Sequence, residues 1–176
     1  LDLGFEQAGH KIIWANDFDK YAVETYKRNL GKDTEVILSP IENIPSSEIP
    51  EADIVLGGFP CQGFSMANPY RSPEDKRNEL YLELLRVIQD KKPKFFLAEN
   101  VVGLTNLGGY DSPEDKKKKT GRVFKMVLAD FRDAGYKVNW KFLNSADFGV
   151  PQVRKRVIII GVRNDIDFTY KFPEPI

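Results

Sequence analysis

Residues 53–65, Asp53-Ile54-Val55-Leu56-Gly57-Gly58-Phe59-Pro60-Cys61-Gln62-Gly63-Phe64-Ser65, constrain this chain more than any other stretch. A short apolar run opens into two glycines, and the only cysteine stands just beyond them. The run reads as a buried strand that ends in a loop. In open α/β sheets, ligands sit outside the carboxyl ends of the strands, so the residues after Gly57 stand where chemistry is expected. Gly57 and Gly58 let the backbone bend and let another group come close. Pro60 fixes the backbone just before the sulfur, and Gly63 frees it again. Cys61 therefore reads as a nucleophile, against the commoner fate of a lone cysteine as a small, inert, buried hydrophobe.

Taken in order, the chain alternates helical and strand patterns. Leu1 to Ala8 has Leu1, Phe5 and Ala8 on one helical face, with Gly9 as its stop. Lys11 to Asn16 is a β-rich run that delivers Asp17-Phe18-Asp19 to the carboxyl edge of a sheet. Asp19 reads as the cap of the next helix, Tyr21 to Leu30, whose apolar set is Tyr21, Ala22, Thr25 and Tyr26. Thr34 to Leu38 is a strand followed by Ser39-Pro40-Ile41 at the same edge. Residues 66–77 are polar and rich in turn formers, and read as a mobile loop, of the kind that is either a functional lid or disordered. Leu80 to Ile88 is an amphipathic helix, and Lys94 to Ala98 is a strand that brings Glu99 to the edge carrying Cys61. Asn106 to Lys119 reads as a second loop, and its lysine run as a solvated face or an approach to a nucleic-acid backbone. Val123, Val127, Leu128 and Phe131 form a helical stripe. Val138 to Leu143 and Val157 to Val162 are the last strands, able to pair as an antiparallel hairpin. Their connection carries Arg154 and Arg156, whose alternation puts both guanidiniums on one side of an extended segment.

The 176 residues are about one domain in size. Lys and Arg number 26 against 26 Asp and Glu, so any basic surface for nucleic acid must be local. A single cysteine excludes an internal disulfide framework, and no apolar run reaches membrane-spanning length, so a reducing cytoplasm is the expected location. One cysteine and one histidine cannot build a structural zinc site, and no metal is expected. A thiol hydrolase would need a histidine base, but His10 falls at the sheet edge opposite the active one.

Phe59-Pro60-Cys61-Gln62-Gly63-Phe64-Ser65 resembles the signature of the cytosine-5 DNA methyltransferases, in which the cysteine attacks the target base. Ala98-Glu99-Asn100-Val101 resembles the family's Glu-Asn-Val motif and Gln152-Val153-Arg154-Lys155-Arg156 its Gln-x-Arg-x-Arg motif, in the family's order. The resemblance implies a Rossmann-like S-adenosylmethionine-dependent α/β fold: a mostly parallel sheet with an antiparallel hairpin at one edge and helices on both faces. It also implies a catalytic domain represented in part, with the family's glycine-rich cofactor loop, target-recognition domain and return segment outside residues 1–176.

The implied catalytic group is Cys61, Glu99, Arg154 and Arg156. Cys61 would add to C6 of a flipped cytosine, Glu99 would serve N3 and the exocyclic amine, and the arginines would bind O2 and a backbone phosphate. The implied cofactor is S-adenosyl-L-methionine. Asp17 would take its ribose hydroxyls, Phe18 and Ile41 would pack on adenine, and Pro60 and Leu80 would complete the site. Asp17 as a mere cap and Leu80 as a core leucine are the competing readings. Pro40 departs from the family's usual Asp, which takes a hydrogen bond from the adenine amino group. The implied substrate is double-stranded DNA, in a bacterial restriction-modification setting that allows a cognate restriction endonuclease as partner. Two rivals stand beside this: a catalytically silent DNA-binding fragment, and a tRNA cytosine-5 methyltransferase, whose Pro-Pro-Cys-Gln-Pro-Phe-Thr is not matched here.

Overall fold

Among the described residues six short runs, most of them rich in β-branched and aromatic residues, become strands: β1 (Trp14–Asp17), β2 (Glu35–Leu38), β3 (Ile54–Gly58), β4 (Phe95–Val101), β5 (Tyr136–Asn144) and β6 (Lys155–Arg163). The computed structural model describes residues 1–59 and 79–176. Its α-helices among those residues are α1 (Asp2–Gln7), α2 (Lys20–Asn29), α3 (Glu79–Lys91), α4 (Pro113–Lys118) and α5 (Arg122–Asp133). All six strands fall on the runs that the sequence singles out.

β1 and β2 pair in parallel. The other strands form a sheet in the order β3-β4-β6-β5, with β3 parallel to β4 and β6 antiparallel to both its neighbours. The expected α/β architecture is therefore present, with the antiparallel hairpin β5–β6 at one edge. β6, the last strand in sequence, lies inside, and β5 takes the border. The carboxyl ends of β3 and β4 and the amino end of β6 consequently meet at one end of the sheet.

The main core fills the space between this sheet and helices α3 and α5. Phe96 and Ala98 of β4, Val157 and Ile159 of β6, Tyr81, Leu85 and Ile88 of α3, and Phe124, Val127, Leu128 and Phe131 of α5 are all buried there. The helix residues recur at three- and four-residue spacing, which is why one face of each helix is apolar. Gly161 of β6 is required by this packing, because a Cβ there would stand 1.9 Å from Cε1 of the buried Phe96 ring. A smaller cluster of Ile44, Ile49 and Val87 packs with Trp14, Ile37, Ile41 and Val55. It ties the β1–β2 pair to α3 and β3.

Three local expectations need correction. On α2 the buried residue is Val23, while Tyr21 is 75% exposed; Ala22 and Thr25 are exposed too, and Tyr26 is partly buried with its hydroxyl donating to Asp2 Oδ2 at 2.7 Å. The helix packs against β2, where Val36 is buried, and Val23 is buried in place of the aromatic set. Residues 113–118, read as loop, form α4: Ser112 caps it by accepting from the Asp115 amide, and Pro113 occupies the first turn, a helix start carried by only six residues. Arg156, placed in the connection before the last strand, already belongs to β6.

Candidate active site

β3 and β4 are in register with Gly58 directly opposite Glu99. A Cβ on Gly58 would meet Glu99 Oε2 at 3.7 Å, so the carboxyl lies against the bare backbone of the strand that runs on, three residues later, to Cys61. Gly57 admits a different group: a Cβ there would stand 2.6 Å from Cδ1 of Leu84 on α3. The close approach at Gly57 is what the paired glycines predict, while the distance at Gly58 is ordinary contact.

Across the other border of β4, Arg156 reaches Glu99. Its Nε stands 2.7 Å from Glu99 Oε1, and Nη2 of Arg154 stands 3.9 Å from the same oxygen. Glu99 and Arg156 are each about a quarter exposed, whereas Arg154 is 51% exposed. The acid and the inner arginine therefore form a shielded pair at the sheet end, and the outer arginine stands open to a ligand. Arg154 is held through its main chain: its amide donates to Asn144 Oδ1 at 3.0 Å, and its carbonyl accepts from the Ser145 amide at 3.1 Å. Three of the four residues expected to share the site thus converge. The fourth, Cys61, lies outside the described residues, as do Pro60 and the polar loop with Arg71 and Arg77.

Asn100 is 2% exposed, in a strand otherwise made for apolar packing. Its Nδ2 donates to the Phe59 carbonyl at 2.7 Å, and its Oδ1 accepts from the Val101 amide. A buried amide with both ends satisfied acts as a strut rather than a defect. It fixes the backbone two residues ahead of Cys61, a role that the motif match alone did not assign.

At the carboxyl ends of β1 and β2 a second set gathers. Asp19 caps α2, as expected, by accepting from the Ala22 amide at 2.8 Å. Asp17 Oδ1 accepts from the Asp19 amide at 2.8 Å, and its other oxygen takes no hydrogen bond from the described residues. Phe18 is 72% exposed beside it, and Leu38 at the end of β2 is half exposed. An acceptor oxygen next to bare aromatic and aliphatic surface fits a ligand that carries hydroxyls and a flat ring. Asn16 Nδ2 donates to the Ser39 carbonyl at 2.6 Å and the Ser39 amide donates to the Asp17 carbonyl at 3.1 Å, so Pro40 and Ile41 are held at this same edge. Leu80 sits in the first turn of α3, half-buried.

The profile of the family described as C-5 cytosine-specific DNA methylase matches residues 1–175. The chain belongs to this family. Type II methyltransferase M.NgoFVII of Neisseria gonorrhoeae is 44% identical over 177 residues, covering 99% of this chain and 44% of that protein. Type II methyltransferase M.BspRI of Lysinibacillus sphaericus is 44% identical over 162 residues, covering 92% of this chain and 35% of that protein. The chain thus spans under half the length of either relative. Among solved structures, Spodoptera frugiperda DNMT2 superposes with a TM-score of 0.73 at 22% identity, covering 97% of this chain and 48% of that one. This likeness agrees with the fold.

No group of three or more metal-ligating side chains occurs among the described residues. No described helix is long and apolar enough to cross a membrane. The only histidine, His10, precedes β1 and packs its ring on Phe5, 5.4 Å between centroids. It lies before the amino end of a strand whose opposite end carries Asp17.

Proposed function

We propose that this chain is the catalytic part of a DNA (cytosine-5)-methyltransferase of a bacterial restriction-modification system, acting on a cytosine turned out of duplex DNA. The observation that carries the reading is the Glu99–Arg156 pair beside Gly58, on the strand that leads to Cys61. An acid and two cations from remote parts of the chain come to one sheet end, where α/β enzymes bind their ligands, beside the strand after which the sequence continues to Cys61.

Cytosine is a weak nucleophile at C5, so electron density must first be raised there. The Cys61 thiolate adds its electron pair to C6, and the C5=C6 π electrons move toward C5 while a proton settles at N3, the position assigned to Glu99. Arg154, exposed and positively charged, binds O2 or the adjoining phosphate, and its field favours the thiolate. Arg156 keeps the Glu99 carboxyl aimed. S-adenosylmethionine, when bound, supplies the methyl group that C5 accepts. Loss of the C5 proton to a base then restores the double bond and expels the Cys61 sulfur. Asp17 would take ribose hydroxyls through its open oxygen, Phe18 and Ile41 would pack on the adenine, and Leu80 and Pro60 would complete the set that holds the cofactor. Extrusion of the base costs a few kcal/mol, which contacts to DNA must offset. The neutral overall charge leaves much of that grip to segments beyond this chain.

The test is methyl transfer by the full-length protein to duplex DNA and to tRNA, with Cys61→Ser alongside. Transfer to DNA that vanishes in the variant supports the reading. Transfer to tRNA alone, or to neither, overturns it in favour of the tRNA enzyme or the silent module.

A further inference from the structure

We infer that Arg86 is a positioning residue for the cofactor's adenine: it sets the place of Ile41 by clamping the β2–β3 connection onto α3. This rests on the proposed cofactor edge and adds a residue to it. Residues 41–48 of that connection form two 3-10 turns, at Ile41–Asn43 and Ser46–Glu48, and the Ile41 carbonyl accepts from the Ile44 amide at 3.1 Å within the first. Arg86 adds the tie from these turns to α3. Its Nη2 donates to the carbonyls of Ile41 and Ile44 at 3.2 and 3.0 Å, and its Nη1 donates to Ser46 Oγ at 2.5 Å. Its Nε donates to Glu83 Oε2 at 2.8 Å, which fixes the guanidinium plane one helical turn from its own backbone. Asp90, one turn further along the same helix face, accepts from Ser46 Oγ at 2.5 Å.

A rigid fork of donors is what this task needs, since two carbonyls and a hydroxyl must be met at once from one side. The side chain of Ile41 packs on Ile44, Ile49 and Val87. The Ile44 amide ties the Ile41 carbonyl only within its own turn, whereas the guanidinium ties it to α3. Because α3 also carries Leu80 in its first turn, the clamp fixes Ile41 relative to Leu80. Two proposed walls of the adenine site thereby become one rigid unit. With Pro40 in place of a side chain able to read the amino group, selection of the base rests more heavily on the spacing of those walls.

The experiment compares full-length wild type, Arg86→Met and Arg86→Lys, with S-adenosylhomocysteine as calorimetric probe and kcat and KM for S-adenosylmethionine as second readout. Arg86→Met is expected to weaken probe binding about tenfold and to raise KM more than it lowers kcat, and Arg86→Lys to recover part of the loss. A double-mutant cycle with Ile41→Ala should be strongly non-additive, because one variant acts through the other. Binding within twofold of wild type in both Arg86 variants, or additive effects in the cycle, overturns the proposal even if thermal stability falls. If Arg86→Met does not fold, Arg86→Lys carries the comparison: a severalfold loss supports the clamp and wild-type binding overturns it. A wild type that does not bind the probe overturns the cofactor reading itself, a result distinct from either.

Discussion

Arg156 meets Glu99 diagonally across the β4–β6 ladder: Ile158 is the residue directly opposite the acid, and Arg156 lies two positions away on the same face. A long side chain spans that diagonal without strain. The direction of the Glu99 carboxyl is thus set by the strand register and not by a loop. Glu99→Gln is expected to keep the fold and lower kcat by about 10²-fold or more, the usual worth of a positioned proton-transfer group. Arg156→Ala should cost activity comparably and stability by about 1 kcal/mol, since the pair is partly shielded. Single-turnover methylation with circular dichroism of each variant checks both, and near-wild-type turnover by Glu99→Gln would remove the acid from the mechanism.

Asn100→Ala removes the Nδ2–H bond to the buried Phe59 carbonyl. The loss should be about 1–3 kcal/mol in urea unfolding, and turnover should fall although Asn100 is proposed to touch no ligand. Asn100→Asp should be no milder, because its carboxylate would face a carbonyl. Unchanged stability in both variants would show that the strut carries nothing.

Gly161→Ala drives a methyl group into the Phe96 ring, which is 1% exposed and has no room to turn. A cost of about 2–3 kcal/mol is expected, and a second change, Phe96→Leu, should return part of it. Denaturant midpoints of the single and double variants decide the matter.

Tyr136 is 2% exposed and its hydroxyl donates to the Pro93 carbonyl at 2.8 Å. Burial pushes the phenol up from 10.0 to about 12. The folded state keeps its proton where the unfolded chain releases it, so this contribution is complete below pH 10 and is lost as pH rises from there to about 12. Tyr136→Phe should therefore flatten the fall of stability in that window, while costing about 1 kcal/mol at neutral pH through the lost hydrogen bond. Unfolding free energies measured across the alkaline range test the slope.

How much of this was legible beforehand differs from element to element. The strand runs were readable because continuous Val, Ile, Leu and Phe in short bursts has one economical home, the middle of a sheet. The meeting of Glu99 with Arg154 and Arg156 was readable from motif order, strand ends and the two-residue alternation of the arginines. The Asn100 strut was not, because a polar residue in a strand shows its worth only when its partner, 41 residues earlier, is known. Nor was the face of α2, where Val23 outcompetes two tyrosines: burial is decided by what lies underneath, and a ten-residue helix offers too few turns for its period to decide. No motif marks Arg86, whose role shows only in the two carbonyls and the hydroxyl that its guanidinium meets.

The interior seat of β6 governs how the protein comes into being. The acid is laid down on β4, but its counter-ion arrives some sixty residues later, on a strand that must insert between two others. A nascent chain stopped before that insertion has an incomplete sheet and an acid with no mate. Assembly of the catalytic corner is therefore a late, long-range event, slow by topology and exposed to strand-edge aggregation until it is done.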